Sequence, residues 1–279
     1  LAACAFLTVV STLARYAALA GLPLLQIVFL RLLFALIALL PLMVRRGPSI
    51  LHTSQPKLYA WRISVGLGAM VSWFGALALI PVGDVTAISF LTPIFGTLAA
   101  IVYMGEATSP RRLLALMLGF VGALIILRPG YIETGFGMWV AVVAALAMAA
   151  ASLLIKQLTR ADDPDKVVVI STLCQTPLLA IPAVFVWTWP TLEMWGVFVA
   201  MGVFATLGQI SLSRAFAAAD IGVVMGVDFA RLPFAVLFGW LLFGELSDLW
   251  TWIGATVIFA GVLMAARSKS DASKVPVRR

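Results

Sequence analysis

Ile221–Glu245, IGVVMGVDFARLPFAVLFGWLLFGE, sets an aspartate, an arginine and a proline into an otherwise apolar run. In a bilayer each ionised side chain near the centre costs about 2.5–3.5 kcal/mol on insertion scales. Asp228 and Arg231 therefore need a reason to be there. Three residues apart, they share one helix face and can pair. The stretch has a twin, Asp84–Glu106, DVTAISFLTPIFGTLAAIVYMGE, which closes on the same Gly-Glu. At the offset of 139 that sets Glu106 on Glu245, Phe90 meets Phe229, Phe95 meets Phe234, Leu98 meets Leu237 and Gly105 meets Gly244. Further on, Gly122 meets Gly261 and Arg128 meets Arg267, while Pro93 and Pro233 match with a one-residue slip. The chain is an internal repeat.

Composition places the repeat in a membrane. Hydrophobic residues make up 63% of the chain and charged ones 11%, and apolar runs of about twenty residues recur, more than a soluble core of this length holds. Ten such segments can be read, near 1–20, 24–44, 60–79, 82–104, 113–127, 136–155, 167–187, 194–213, 221–243 and 249–266. The expected fold is all-α and polytopic, with ten transmembrane helices as two inverted five-helix repeats. Five segments per half is an odd number, so the second half enters the bilayer upside down, as in many secondary transporters. The tail Ser268–Arg279 is polar and is expected to be disordered. A few residues are expected to precede Leu1. The opening run is not expected to be a cleaved signal peptide, because Arg15 interrupts it and no clear small-residue cleavage site follows.

The net charge of +7 would suggest nucleic acid in a soluble domain. Here the basic residues sit between apolar runs, so the lipid bilayer accounts for them and nucleic acid is not an expected partner. Arg45, Arg46, Lys57, Arg62, Arg111, Arg112, Lys156, Arg160, Lys166, Arg214, Arg267 and the tail cations fall on one side, fifteen in all, against Arg128 alone on the other. Cytoplasmic loops retain such residues, which puts both termini in the cytoplasm. Cys4 and Cys174 lie far apart with no metal-ligand spacing, and no metal or cofactor is expected.

The whole chain resembles the drug/metabolite transporter superfamily in its ten-helix form, with EamA-type domains at 1–130 and 135–267. The resemblance is carried by Gln26-x4-Arg31 in the second segment, AISFLTPIFGTLAAIVYMGE (87–106), GFVGALIILRPG (119–130) and SRAFAAADIGVV (213–224). LARYAALAGLPLLQIVFLRLLFAL (13–36) looks most like a bacterial branch with riboflavin and S-adenosylmethionine carriers. The resemblance implies a carrier of the bacterial inner membrane, without ATP hydrolysis, whose central cavity is lined mainly by segments 1, 3, 4, 6, 8 and 9. As structural motif it implies Gln26, Arg31, Pro93, Gly105, Glu106, Pro233, Gly244 and Glu245. The seventh segment has no clear counterpart to Gln26 and Arg31.

Intramembrane ions mark a substrate or ion path when they face a wet cavity. On that reading Arg231 is a carboxylate or phosphate clamp and Asp228 is the candidate for proton coupling. The bland alternative is a pair satisfied within one helix. Arg15 has Thr8 and Ser11 behind it on the same face and is read as facing the cavity rather than snorkelling. Arg31 lacks such a stripe and is read as structural. Trp73, Phe74, Phe90 and Phe204 could stack on a flat substrate, although aromatics in membrane helices are more often packing. Trp187, Trp189 and Trp195 are interfacial anchors. The alanines from Ala144 to Ala151 suit close packing, with Lys156 at the cytoplasmic mouth, and Ala115-x3-Gly119 suits a helix seam or a homodimer face. Glu106 and Glu245 are expected to organise the turns that follow them.

Arg15, Arg31 and Arg231 against Asp228 leave a surplus of two positive charges, which favours a small zwitterionic or anionic substrate such as an amino acid, flavin or S-adenosyl compound. A multidrug or lipophilic-cation exporter and a non-transporting receptor are the alternatives. An enzyme is not expected. The one histidine, His52, lies in a loop, and Asp162, Asp163 and Asp165 read as a solvated cluster without a histidine or cysteine nearby.

Overall fold

The structure, a computed structural model, describes residues 2–104, 110–127, 135–218, 231–245 and 248–272. They form α1 (Ala2–Leu19), α2 (Leu24–Arg46), α3 (Pro56–Leu79), α4 (Val82–Ser89), α5 (Thr92–Met104), α6 (Pro110–Leu127), α7 (Phe136–Leu158), α8 (Pro164–Phe185), α9 (Leu192–Ala218), α10 (Arg231–Phe243) and α11 (Leu249–Ala272). Six of them, α1, α2, α3, α7, α8 and α9, are long and apolar enough to cross a membrane. The protein is an all-helical, multi-pass membrane protein. Gly105, Glu106 and Asp228 lie outside the described residues.

The fourth segment is two helices rather than one. Pro93 has no N–H to offer the Ser89 carbonyl, and its ring crowds the preceding turn. The chain crosses the gap by tighter bonds, from Phe90 N–H to Ala87 O and from Leu91 N–H to Ile88 O, at 3.2 and 3.0 Å, and α5 restarts with Phe95 N–H on Leu91 O at 2.9 Å. At the other end of the chain α11 continues to Ala272, so the first residues of the expected disordered tail are helical.

The two halves interlock. The main packing partners are α6 with α11, α3 with α7, α1 and α2 with α9, and α2 with α8, each pair taking one helix from either half. Small residues permit the approach, because in lipid association rests on packing. Ala141, Ala144, Ala145 and Ala149 of α7 are buried. A Cβ on Gly122 would lie 2.7 Å from the Gly254 carbonyl, and one on Gly254 2.6 Å from that of Gly122. Gly119 is turned against Ile94 of α5, so this part of the suggested dimer face is spent inside the chain.

The two ends of the bundle differ. At one, Gln26 at the start of α2 pins the α8–α9 link, donating to Thr188 O at 2.6 Å and accepting from its N–H at 2.9 Å. Trp187 and Trp189 pack edge to face beside it. At the basic end Asp163 caps α8 by accepting from Asp165 N–H at 2.9 Å. Asp165 is 2% exposed, held by Arg214 at 2.8 and 2.9 Å and by Arg46 at 3.3 Å. The aspartates are thus a built junction between halves, not a solvated cluster, because Arg46 comes from α2 and Arg214 from α9.

Asp162 accepts from Lys166 and from Thr53, each at 2.7 Å. Burial alone would raise its pKa, but those bonds and the Lys166 charge outweigh it and hold the carboxyl below its ordinary value. A depressed native pKa contributes stability that is complete above the ordinary carboxylate value of about 4 and is lost as pH falls through the native value. Thermal unfolding followed from pH 5 to pH 3 should therefore show a smaller acid loss in Asp162→Asn than in the wild type. Equal slopes would show that this contact contributes nothing to the acid response.

Candidate binding cavity

A cavity of about 160 Å³ lies between the halves, walled by α1, α2, α3, the α4–α5 break, α7, α9 and the start of α10. Each wall has a local cause. The break at Pro93 brings Ser89, Phe90 and Thr92 to the lumen, and the last turns of α7 and α9 supply Ile155 and Phe216. Arg231, the first described residue of α10, is 5% exposed and lies over the Trp73 ring at 5.4 Å. Trp73 in turn donates from its indole N–H to Ser11 Oγ at 3.3 Å. A cation over an indole face, with the indole itself held by a hydrogen bond, forms a preset recognition surface.

Arg231, Trp73 and Phe90 therefore share one wall, with Phe74 beside them. Phe204 is elsewhere, packed on Phe6 at 5.9 Å. It is its neighbours Ala205 and Thr206 that face a second, smaller pocket of about 30 Å³ adjoining the cavity.

Arg15 is also absent from the cavity wall. Its guanidinium binds Glu245 Oε1 through Nε at 3.0 Å and Nη2 at 2.7 Å, and Nη1 donates to Leu77 O at 2.9 Å. Glu245 accepts from Val82 N–H at 3.4 Å with its other oxygen. The expectation of a cavity-facing Arg15 is corrected by this partner, which helical periodicity does not reveal. Glu245 does more than organise its own turn: Gly244, at φ +66°, ends α10 in the left-handed region, and Glu245 then joins α1 to the start of α4, while its partner Arg15 holds the end of α3. This knot lies at the tryptophan end, whereas the cavity extends to the basic end.

Two further arginines line both pockets, Arg31 and Arg62. From the sequence Arg31 reads as structural and Arg62 as part of the basic loop. Instead α3 begins at Pro56, which carries Arg62 into the bundle. Gln209 of α9 joins them on both walls. Its recurrence with Thr206 and Ser213 along one face of α9 is a polar stripe that the sequence carries without any charge to mark it. Lys156 donates to Phe216 O at 2.6 Å at the basic mouth.

The sequence pattern of the EamA-like transporter family matches residues 1–128 and 135–267. The riboflavin transporter of Brucella anthropi is 31% identical over 263 residues, covering 91% of this chain and 92% of that protein. The pseudopaline exporter CntI of Pseudomonas aeruginosa is 30% identical over 260 residues, covering 90% and 88%. A solved crystal structure at 17% identity superposes with a TM-score of 0.70 over 98% of this chain and 99% of its own, a likeness of fold. With matches in both halves and over nearly its whole length, the chain belongs to the EamA-like transporter family of the drug/metabolite transporter superfamily, and is a transporter rather than an enzyme.

Proposed function

We propose that the protein is a secondary carrier that moves a small zwitterionic or anionic metabolite across the bacterial inner membrane by alternating access, with residues 1–130 and 135–267 as the two inverted halves. The observation that carries this reading is a cavity between halves, walled by Arg231, Trp73 and Phe90, that is knotted shut at one end by Arg15 and Glu245. The basic end is the cytoplasmic one under the positive-inside rule, so this is a state closed to the outside. Arg231 and the aromatic wall bind substrate, and Arg15 acts in closure rather than as a clamp. Asp228, three residues before Arg231, is proposed for proton coupling, and flux that ignores an imposed pH gradient would remove it from that role.

The multidrug reading is disfavoured because both pockets carry arginines and, among the described residues, no carboxylate lines either of them. In sealed vesicles Arg231→Ala is expected to lower uptake of an accepted anion at least tenfold, about 1.4 kcal/mol, and Trp73→Ala to lower it less. Wild-type protein that binds such a compound without moving it would be a receptor.

A further inference from the structure

The structure assigns Arg31 and Arg62 to one anion subsite, and we infer that the substrate is a small organic dianion, bearing a phosphate monoester or two carboxylates. This deepens the proposed carrier reading and rests on it for transport, but not for binding. Both guanidiniums line the main cavity and the pocket that continues from it. Arg31 is 4% exposed, and its Nε has no hydrogen-bond partner. Among the described residues its one hydrogen bond is from Nη1 to the thioether of Met70 at 3.2 Å, a weak acceptor, with the Phe74 ring 5.7 Å away. Arg62 Nε is likewise buried without a partner, and no described residue forms an ion pair with Arg62.

Arg62 could have reached back to the basic end, as long cations near helix ends do. The residue one turn along, Gly66, explains why it does not. A Cβ there would collide with Arg62 Nη1 and lie 2.7 Å from Gln175 Nε2. The missing side chain is a cradle that lets the guanidinium fold inward beside the amide, towards Arg31. Two like charges brought together away from water repel each other and lose hydration. An arrangement of this kind is made whole by an acid that accepts from both forks, since guanidinium matches carboxylate and phosphate oxygens in bidentate fashion. One negative charge would neutralise only half of it. Trp73 and Phe74 on the same wall leave room for an apolar or flat remainder of the molecule.

The test uses the purified full-length chain in a neutral detergent, with thermal unfolding as readout. The probes are matched by charge: flavin mononucleotide against riboflavin, succinate against succinamide, and inorganic phosphate and phosphatidylglycerol alone. At least one dianion should raise the transition where its neutral partner does not, and Arg31→Gln and Arg62→Gln should each weaken that binding about tenfold, with Arg62→Lys in between. Arg62→Gln should also raise the transition of the ligand-free protein, because it removes a half-buried charge whose Nε has no partner among the described residues. A fall in ligand-free stability would make Arg62 a structural residue and overturn the proposal. So would equal effects of the charged and neutral probes, or stabilisation by the lipid alone. Vesicle flux separates the two readings. Dianion binding lost in Arg62→Gln, with no flux in the wild type, refutes the carrier and keeps the subsite. Flux of a neutral compound untouched by Arg62→Gln keeps the carrier and refutes the subsite.

Discussion

Glu245→Ala is expected to lower stability by about 3–5 kcal/mol, the range for breaking a buried ion pair from one side. The pair qualifies because its side chains are 10% and 16% exposed and Arg15 as a whole is 8% exposed. Without the carboxylate, Arg15 keeps the Leu77 carbonyl at 2.9 Å but no counter-charge, and Val82 N–H loses its acceptor. The double variant Arg15→Met/Glu245→Leu removes both ions together and should cost much less than the sum of its single changes, since apolar replacement of a buried pair is often near neutral. Thermal unfolding of the four proteins completes the cycle. A coupling near zero would mean that the knot does not hold the two halves together. The same variants should admit a bulky thiol reagent from the tryptophan end to a cysteine placed at Ser11, if the knot is what closes that end.

The second large effect falls on the seam between α2 and α9. A Cβ on Gly202 would meet Phe34 Cβ and lie 2.5 Å from the Phe34 carbonyl carbon and 2.7 Å from Ala35 N. Backbone cannot step aside as a side chain can, and one turn on, Thr206 Oγ1 donates to Ala35 O at 3.1 Å across the same seam. Gly202→Val is expected to cost at least the upper end of the 1–3 kcal/mol usual for overpacking, with loss of the Thr206 bond. Two glycines of the same helix serve as controls. Gly208 faces Leu7 side-chain atoms, the nearest at 2.8 Å, which can rotate away, and Gly196 faces nothing within 4 Å. Gly208→Ala should therefore cost less than Gly202→Ala, and Gly196→Ala should gain up to about 1 kcal/mol from helix propensity. Denaturation midpoints in one detergent would rank them. A flat series would refute the backbone seam.

The helices were legible because a bilayer leaves a coarse mark: about twenty apolar residues per span and cations left on one side. An arginine beside a proline in an apolar helix stands out in the sequence, but its place over the Trp73 ring does not, because the two come from different helices far apart in the chain. Arg15 was misplaced for a definite reason. Helical spacing tells which residues of α1 share a face, and Thr8 and Ser11 do sit behind Arg15, but their hydroxyls bond back to the carbonyls of Cys4 and Leu7 within the helix. Ser11 does line the cavity beside Trp73, yet Arg15, one turn on, is drawn off to Glu245, a partner from the other half of the chain that helical spacing cannot reveal. Arg62 was missed by four residues of helix boundary, because a span read from 60 leaves it at the interface whereas a helix from Pro56 carries it inside. Phe204 and Ala205 point to different sides of α9, and sequence alone gave no reason to prefer one.

The Arg15–Glu245 bond also bears on how the protein is made. Its partners are 230 residues apart in sequence, and chains emerge from the ribosome N-terminal end first. A cation thus enters the bilayer with the first helix while the carboxylate that will neutralise it is still to be translated. Until the tenth helix arrives, α1 carries its charge without that counter-ion, so the last stretches of the chain are what allow the first one to settle.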